Sequence, residues 1–163
     1  MKYKLTNETK QYNGVTLRRI QALRDFADVK AGDLGGWVQS ENNLSPYGDC
    51  WVYGNAKVSG DAVVSGNARV YGTAQVFGDT WVFGDARVYG TAQVFDNARV
   101  FDNARVFGNA RVYGNARVYG DTWVFGDMIV SGTTELSEDS SQETKESTVF
   151  EINGKKYKLV EVE

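Results

Sequence analysis

From Cys50 to Leu136 the chain repeats a hydrophobic and polar pattern with a period of six and no gap. Valine returns at every sixth position from Val52 to Val130. Two residues before each valine stands a small residue, as in Cys50, Ala56, Ala62, Ala68, Ala74, Thr80 and Ala86, onward to Thr122; Met128 is the one large exception. Two residues after most valines is Gly, replaced by Asp96 and Asp102, and then Asn, Asp or Thr. Each unit reads small-x-Val-aromatic-Gly-Asn/Asp. Successive residues of a strand point to opposite faces, so the small residue and Val face inward while x and the aromatic face outward. Gly followed by Asn or Asp supplies a corner, because both tolerate backbone that β-branched residues avoid.

Six residues cannot bury a face alone, so such units are stable only when stacked. The period is compatible with two or three units per coil. A near-duplication favours three: Tyr71-Gly-Thr-Ala-Gln-Val-Phe77 returns eighteen residues later as Tyr89-Gly-Thr-Ala-Gln-Val-Phe95. The expectation is an all-β parallel solenoid with three hexads per coil and about five regular coils, roughly 24 Å of stack at about 4.8 Å per rung.

With an aliphatic residue (Val88, Val106) and a small one four later (Ala92, Ala110), the repeat resembles that of the hexapeptide left-handed β-helix family. Left-handed, triangular coils are what this resemblance implies. The N-terminal block with Ala31-Gly32-Asp33-Leu34-Gly35-Gly36-Trp37 also resembles the heads of phage and prophage hexapeptide-repeat proteins.

Solenoid ends need caps. Residues 1–32 are expected to form a β-rich cap around the hairpin signal Tyr12-Asn13-Gly14-Val15, although Leu17 to Phe26 also shows near-helical spacing. The solenoid is placed at 33–136, with an irregular first coil at 33–49: Gly36-Trp37-Val38 matches Cys50-Trp51-Val52, Leu44 follows Val38 by six, and Pro46 interrupts. Residues 137–148 carry no apolar side chain and read as a flexible acidic, Ser/Thr-rich linker. Residues 149–163 read as a β-hairpin around Asn153-Gly154, expected to dock on the N-terminal strands or on another subunit.

Composition narrows the chemistry. A formal charge of −3 argues against a nucleic-acid or anionic-membrane binder. No apolar run is long enough for a membrane span, Met1 to Glu8 has no signal-peptide core, and one cysteine fits a reducing cytosol, so a host bacterial cytoplasm is the expected location. Acyl transfer in the resembling family uses a histidine as general base, and carbon dioxide hydration there holds a metal with histidines; this chain has no histidine. No catalytic residue, metal or cofactor is therefore assigned. Asp61, Asp79, Asp85, Asp121 and Asp127 read as corner residues, and Cys50 as a small core residue. Gly32-Asp33-Leu34-Gly35-Gly36 lacks the Gly-Lys-Ser/Thr end of a phosphate loop.

The outer faces remain. Every eighteenth residue falls in one column, which stacks Trp51, Arg69, Arg87, Arg105 and Trp123 on one face. A second face carries Lys57, Gln75, Gln93, Arg111 and Ile129, and a third Val63, Trp81, Arg99, Arg117 and Glu135. Aromatics form parallel columns, such as Tyr53, Tyr71, Tyr89, Phe107 and Phe125. Arg and an aromatic two apart are expected to touch as cation and ring. Such columns can serve only to hold coils together, yet Trp, Tyr and Arg are also the residues of interface hot spots. Trp51, Arg69, Arg87, Arg105, Trp123, Trp81, Arg99, Arg117 and Arg111 are the candidate contacts for a protein partner. The expectation is a non-catalytic interaction or assembly protein of phage or prophage origin, binding or inhibiting a host bacterial protein and forming a dimer or trimer. The alternatives are an atypical hexapeptide acyltransferase-like enzyme and a carbohydrate-binding phage structural protein.

Overall fold

The computed structural model describes residues 1–138, 149–152 and 155–161. Strands β1 (Tyr3–Tyr12), β2 (Val15–Ala22) and β3 (Leu34–Val38) come first. Among the described residues there follow fourteen two-residue strands, β4 (Trp51–Val52) through β17 (Ile129–Val130), one per hexad. Strands β18 (Thr134–Glu138), β19 (Val149–Ile152) and β20 (Lys155–Glu161) end the chain.

The hexads build an all-β parallel solenoid of about six turns with three strands per coil. Register shows the coil length directly: Arg87 pairs in parallel with Arg69 on one side and Arg105 on the other, eighteen residues away each time. Three sheets result, one per side of the coil, and we name them by their outward columns. The arginine face runs from Trp51 to Trp123, the glutamine face from Lys57 to Ile129 and the tryptophan face from Val63 to Glu135.

Inside, the small residue and valine of each hexad fill the core. Ala68, Val70, Ala86, Val88, Ala104 and Val106 are all fully buried. Each such valine contributes about 1.5–3 kcal/mol. The two inward threonines are satisfied locally: Thr80 Oγ1 donates to Phe77 O at 2.7 Å, and Thr122 Oγ1 to Tyr119 O at 2.6 Å. Corners turn on left-handed backbone, with φ of 69° at Gly90 and 60° at Asp96. Asp tolerates that region better than most side chains, so the hexad survives without Gly there.

The N-terminal segment closes one end. Asn13 (φ 49°) and Gly14 (φ 77°) turn β1 into β2 as an antiparallel hairpin; the helical alternative for Leu17 to Phe26 is not taken. Strand β2 pairs with β3, and β3 joins the solenoid through Val38 opposite Val58. The first coil is longer than the rest: Leu44 bridges to Val64, twenty residues on, whereas Val52 pairs with Val70, eighteen on. Fully buried Asn43 ties this coil down, accepting from the N–H groups of Gln39 and Ser40 and donating to Gly60 O and Ala62 O.

The cap replaces the donors that a preceding coil would supply. Lys2, 1% exposed, donates its ammonium to Cys50 O at 2.8 Å and Gly48 O at 3.2 Å. Tyr3 Oη donates to Leu44 O at 2.7 Å and Glu41 O at 2.9 Å. Gly35 lies so close that a Cβ there would meet Val52 O at 2.6 Å. Gly35 and Gly36 are packing residues, whereas Gly32 turns the chain at φ 94°.

At the other end β20 pairs antiparallel with β18, Leu159 opposite Leu136. The C-terminal strands thus extend the last coil of their own chain, correcting the expectation that they dock on the N-terminal strands or another subunit. Ser137 and Glu138 lie in β18 and not in a linker. The remainder of the expected linker, 139–148, and the Asn153-Gly154 turn lie outside the described residues.

Candidate functional site

Catalytic candidates are absorbed by structure. Cys50 is fully buried, and burial raises its thiol above the ordinary range, opposite to what a nucleophile requires. The corner residues form ladders between coils: Asn67 Nδ2 donates to Asp85 Oδ1 at 3.1 Å and Asn103 Nδ2 to Asp121 Oδ1 at 2.9 Å. Among the described residues no group of three or more His, Cys, Asp or Glu side chains is placed to hold a metal ion.

The aromatic rings of the outer columns stack from coil to coil. On the arginine face Tyr71 stacks on Tyr89 with centroids 4.6 Å apart, and Tyr89 on Phe107 at 4.9 Å. Phe77 and Phe95 stack at 4.9 Å, as do Phe83 and Phe101. Cation–ring contacts run along the columns: Arg105 lies over Trp123 at 5.3 Å and Arg99 over Trp81 at 5.8 Å. Contact within a hexad was expected, but residues two apart on a strand are separated by about 6.6 Å, against about 4.8 Å between rungs.

Each expected contact residue can now be placed. Trp51 is not available: it is 1% exposed, covered edge-on by Phe26 at 5.2 Å and Tyr3 at 6.2 Å. The cap folds over the first rung of the arginine face, which a repeat-based reading cannot see. Arg69 is held by Asp28 at 3.5 Å, and Arg117 by Glu135 at 3.7 Å. Arg111 donates to Gln93 Oε1 at 3.3 Å. Trp81 is half-exposed. Arg87 and Arg105 have no carboxylate within 4.0 Å among the described residues.

The sequence reading missed Asp28 and placed Tyr53 only as a member of an aromatic column. Tyr53 Oη donates to Asp28 Oδ1 at 2.9 Å, which holds that carboxyl below its usual range. Burial and this bond push the Tyr53 phenol up to about 12. Tyr53 is thereby turned edge-on, 86° to Tyr71, and breaks the stack. An open hollow of about 370 Å³ lies there, lined by Asp28, Tyr53, Arg69, Tyr71 and Arg87. The one hint in the sequence is the pair Phe26 and Val29, two buried apolar residues bracketing Asp28.

Fold and faces define a hexad-repeat parallel β-solenoid. Two comparisons agree at the level of the repeat. The profile of the YdcK beta solenoid repeat matches residues 52–66, 92–108, 98–112 and 110–126. A protein of Escherichia coli (strain K12) named "Uncharacterized acetyltransferase YdcK" is 39% identical over 59 residues, covering 31% of this chain. The match spans 18% of that relative's length. Both support a hexapeptide-like β-solenoid family for the repeat region.

Proposed function

We propose that this protein is a non-catalytic interaction scaffold, which binds a protein partner through the exposed part of its arginine face. One observation carries the reading. Arg69, Arg87 and Arg105 stand directly opposite one another on adjacent strands, and like charges so placed destabilise a sheet. The same chain avoids that conflict at the corner column, where Asp49, Asn67, Asp85, Asn103 and Asp121 alternate charge with neutral amide. Asp28 answers only Arg69, and the pair Arg87 and Arg105, left without a carboxylate beside stacked Tyr89 and Phe107, fits a surface whose compensating charges come from outside. In a phage or prophage setting, suggested by the N-terminal block, the partner is a host bacterial protein whose activity the solenoid blocks.

The test is a pull-down from bacterial lysate with the wild-type chain and with Arg87→Glu/Arg105→Glu, both checked for folding by circular dichroism. A stoichiometric protein captured by the first and lost by the second supports the reading. Equal capture by both removes this face from it.

The name of the Escherichia coli relative favours a second reading, an acetyltransferase-like enzyme. Against it stands the absence of histidine throughout the chain. Turnover of an acyl-coenzyme A donor by the purified protein would establish it.

A further inference from the structure

We infer that the arginine face receives the acidic corner of a second copy of this chain, the two solenoids lying side by side. The inference rests on the reading of that face as a binding surface and puts a second copy of the chain there in place of a host protein.

The corner is the one between the glutamine and tryptophan faces. Asp61 and Asp79 stand there on adjacent coils, both exposed, and among the described residues neither carboxylate has a hydrogen bond or a cation within 4.0 Å. Asp96 lies beside them, its Oδ2 accepting from the N–H of Gly114 at 3.2 Å. Among the described residues two like-charged pairs on adjacent coils thus lack an opposite charge within 4.0 Å, Arg87 with Arg105 and Asp61 with Asp79.

Spacing selects the partner. Charges in both ladders repeat at the rung distance of about 4.8 Å. An extended peptide presents side chains of one face every 6.6 Å or so, and loses register with the ladder after one or two contacts. A stack of coils keeps register over every rung, and this chain is such a stack. Charge complementarity then sets the contact, with Arg87 and Arg105 facing Asp61 and Asp79 of the neighbour. The aromatic edges of Tyr89 and Phe107, next to the arginines, are covered by the same contact.

Geometry also fixes the kind of assembly. Going round the coil, the acidic corner lies across from the arginine face. One patch cannot meet its own copy by a twofold axis, so the contact is heterologous and propagates as an open row.

The experiment uses light scattering coupled to size exclusion on the full chain, on variant E (Arg87→Glu/Arg105→Glu) and on variant K (Asp61→Lys/Asp79→Lys). All these positions point outward, and folding is verified by circular dichroism. The wild type should gain mass with concentration. Its association should weaken at least tenfold between about 0.1 M and about 1 M salt, where the screening length shortens from about 10 Å to about 3 Å. Variants E and K should each be monomeric alone, and an equimolar mixture should assemble again, because Glu of one then meets Lys of the other. A monomeric wild type overturns the inference, as does assembly of either variant alone or a mixture that stays monomeric. Failure here with a lysate protein still lost by variant E leaves the binding face standing and removes only the second copy. Loss of neither overturns both.

Discussion

Arg87 and Arg105 face one another across adjacent parallel strands of one sheet, and neither reaches a carboxylate of the described chain. Several neighbouring polar groups have found relief within the chain. Asn67 bonds Asp85 in the next coil, Arg69 has Asp28 and Arg117 has Glu135. A solenoid copies each side chain's environment from coil to coil, so a charge repeated in register is repelled by its own copy. Relief must come from alternation, from the cap or from another molecule.

The core has no comparable slack. Val106 is fully buried among the valines and alanines of neighbouring coils. Val106→Asp should destabilise the protein by more than about 4 kcal/mol, since it buries an unpaired carboxylate. Denaturant unfolding checks this; a variant within 1 kcal/mol or so of wild type would mean that the core relaxes far more than its packing allows.

The cap should act as a lock on the only thiol. Lys2→Ala strands Cys50 O and Gly48 O without their donor, which should cost about 2 kcal/mol. It also opens a path to Cys50, whose sulfur lies 3.3 Å from the lysine nitrogen. Labelling by a disulfide reagent should be slow in wild type and much faster in the variant. Equal rates would show that Lys2 does not seal this end.

Alkali should release the link between cap and arginine face. The Tyr53 phenol is raised by burial and by its bond to Asp28, so the stability it confers is complete below the ordinary value of 10.0 and lost as pH rises toward about 12. In a spectrophotometric titration, one phenol should ionise near 12 in wild type and be missing from Tyr53→Phe. A Tyr53 that titrates near 10 would contradict the contact with Asp28.

Much of this was legible from residues alone, for a physical reason. Once three hexads make a coil, register follows by counting, so the stacking of Tyr71 on Tyr89 and Phe83 on Phe101 was written in the sequence. Inward alanines and valines followed from alternation. The fate of Trp51 was not legible, because Phe26 and Tyr3 reach it through tertiary contacts that no period encodes. Lys2 illustrates the same limit: a lysine at the chain start reads as solvated, and only the unfilled carbonyls of the first coil give it a buried role. Of the candidate surface, Trp51 is covered by the cap, and Asp28 and Glu135 give Arg69 and Arg117 partners within the chain.

The most direct test of whether the pair Arg87 and Arg105 serves recognition and not the fold is Arg87→Gln, with thermal unfolding and binding measured on the same preparation. Removing the central charge of the ladder relieves repulsion on both sides, so stability should hold or rise by about 0.2–1 kcal/mol. Binding to the captured partner or to a second copy should fall at least tenfold. A loss of stability beyond about 1 kcal/mol with binding unchanged would contradict the account, and would make the arginine column one more ladder that holds the coils together.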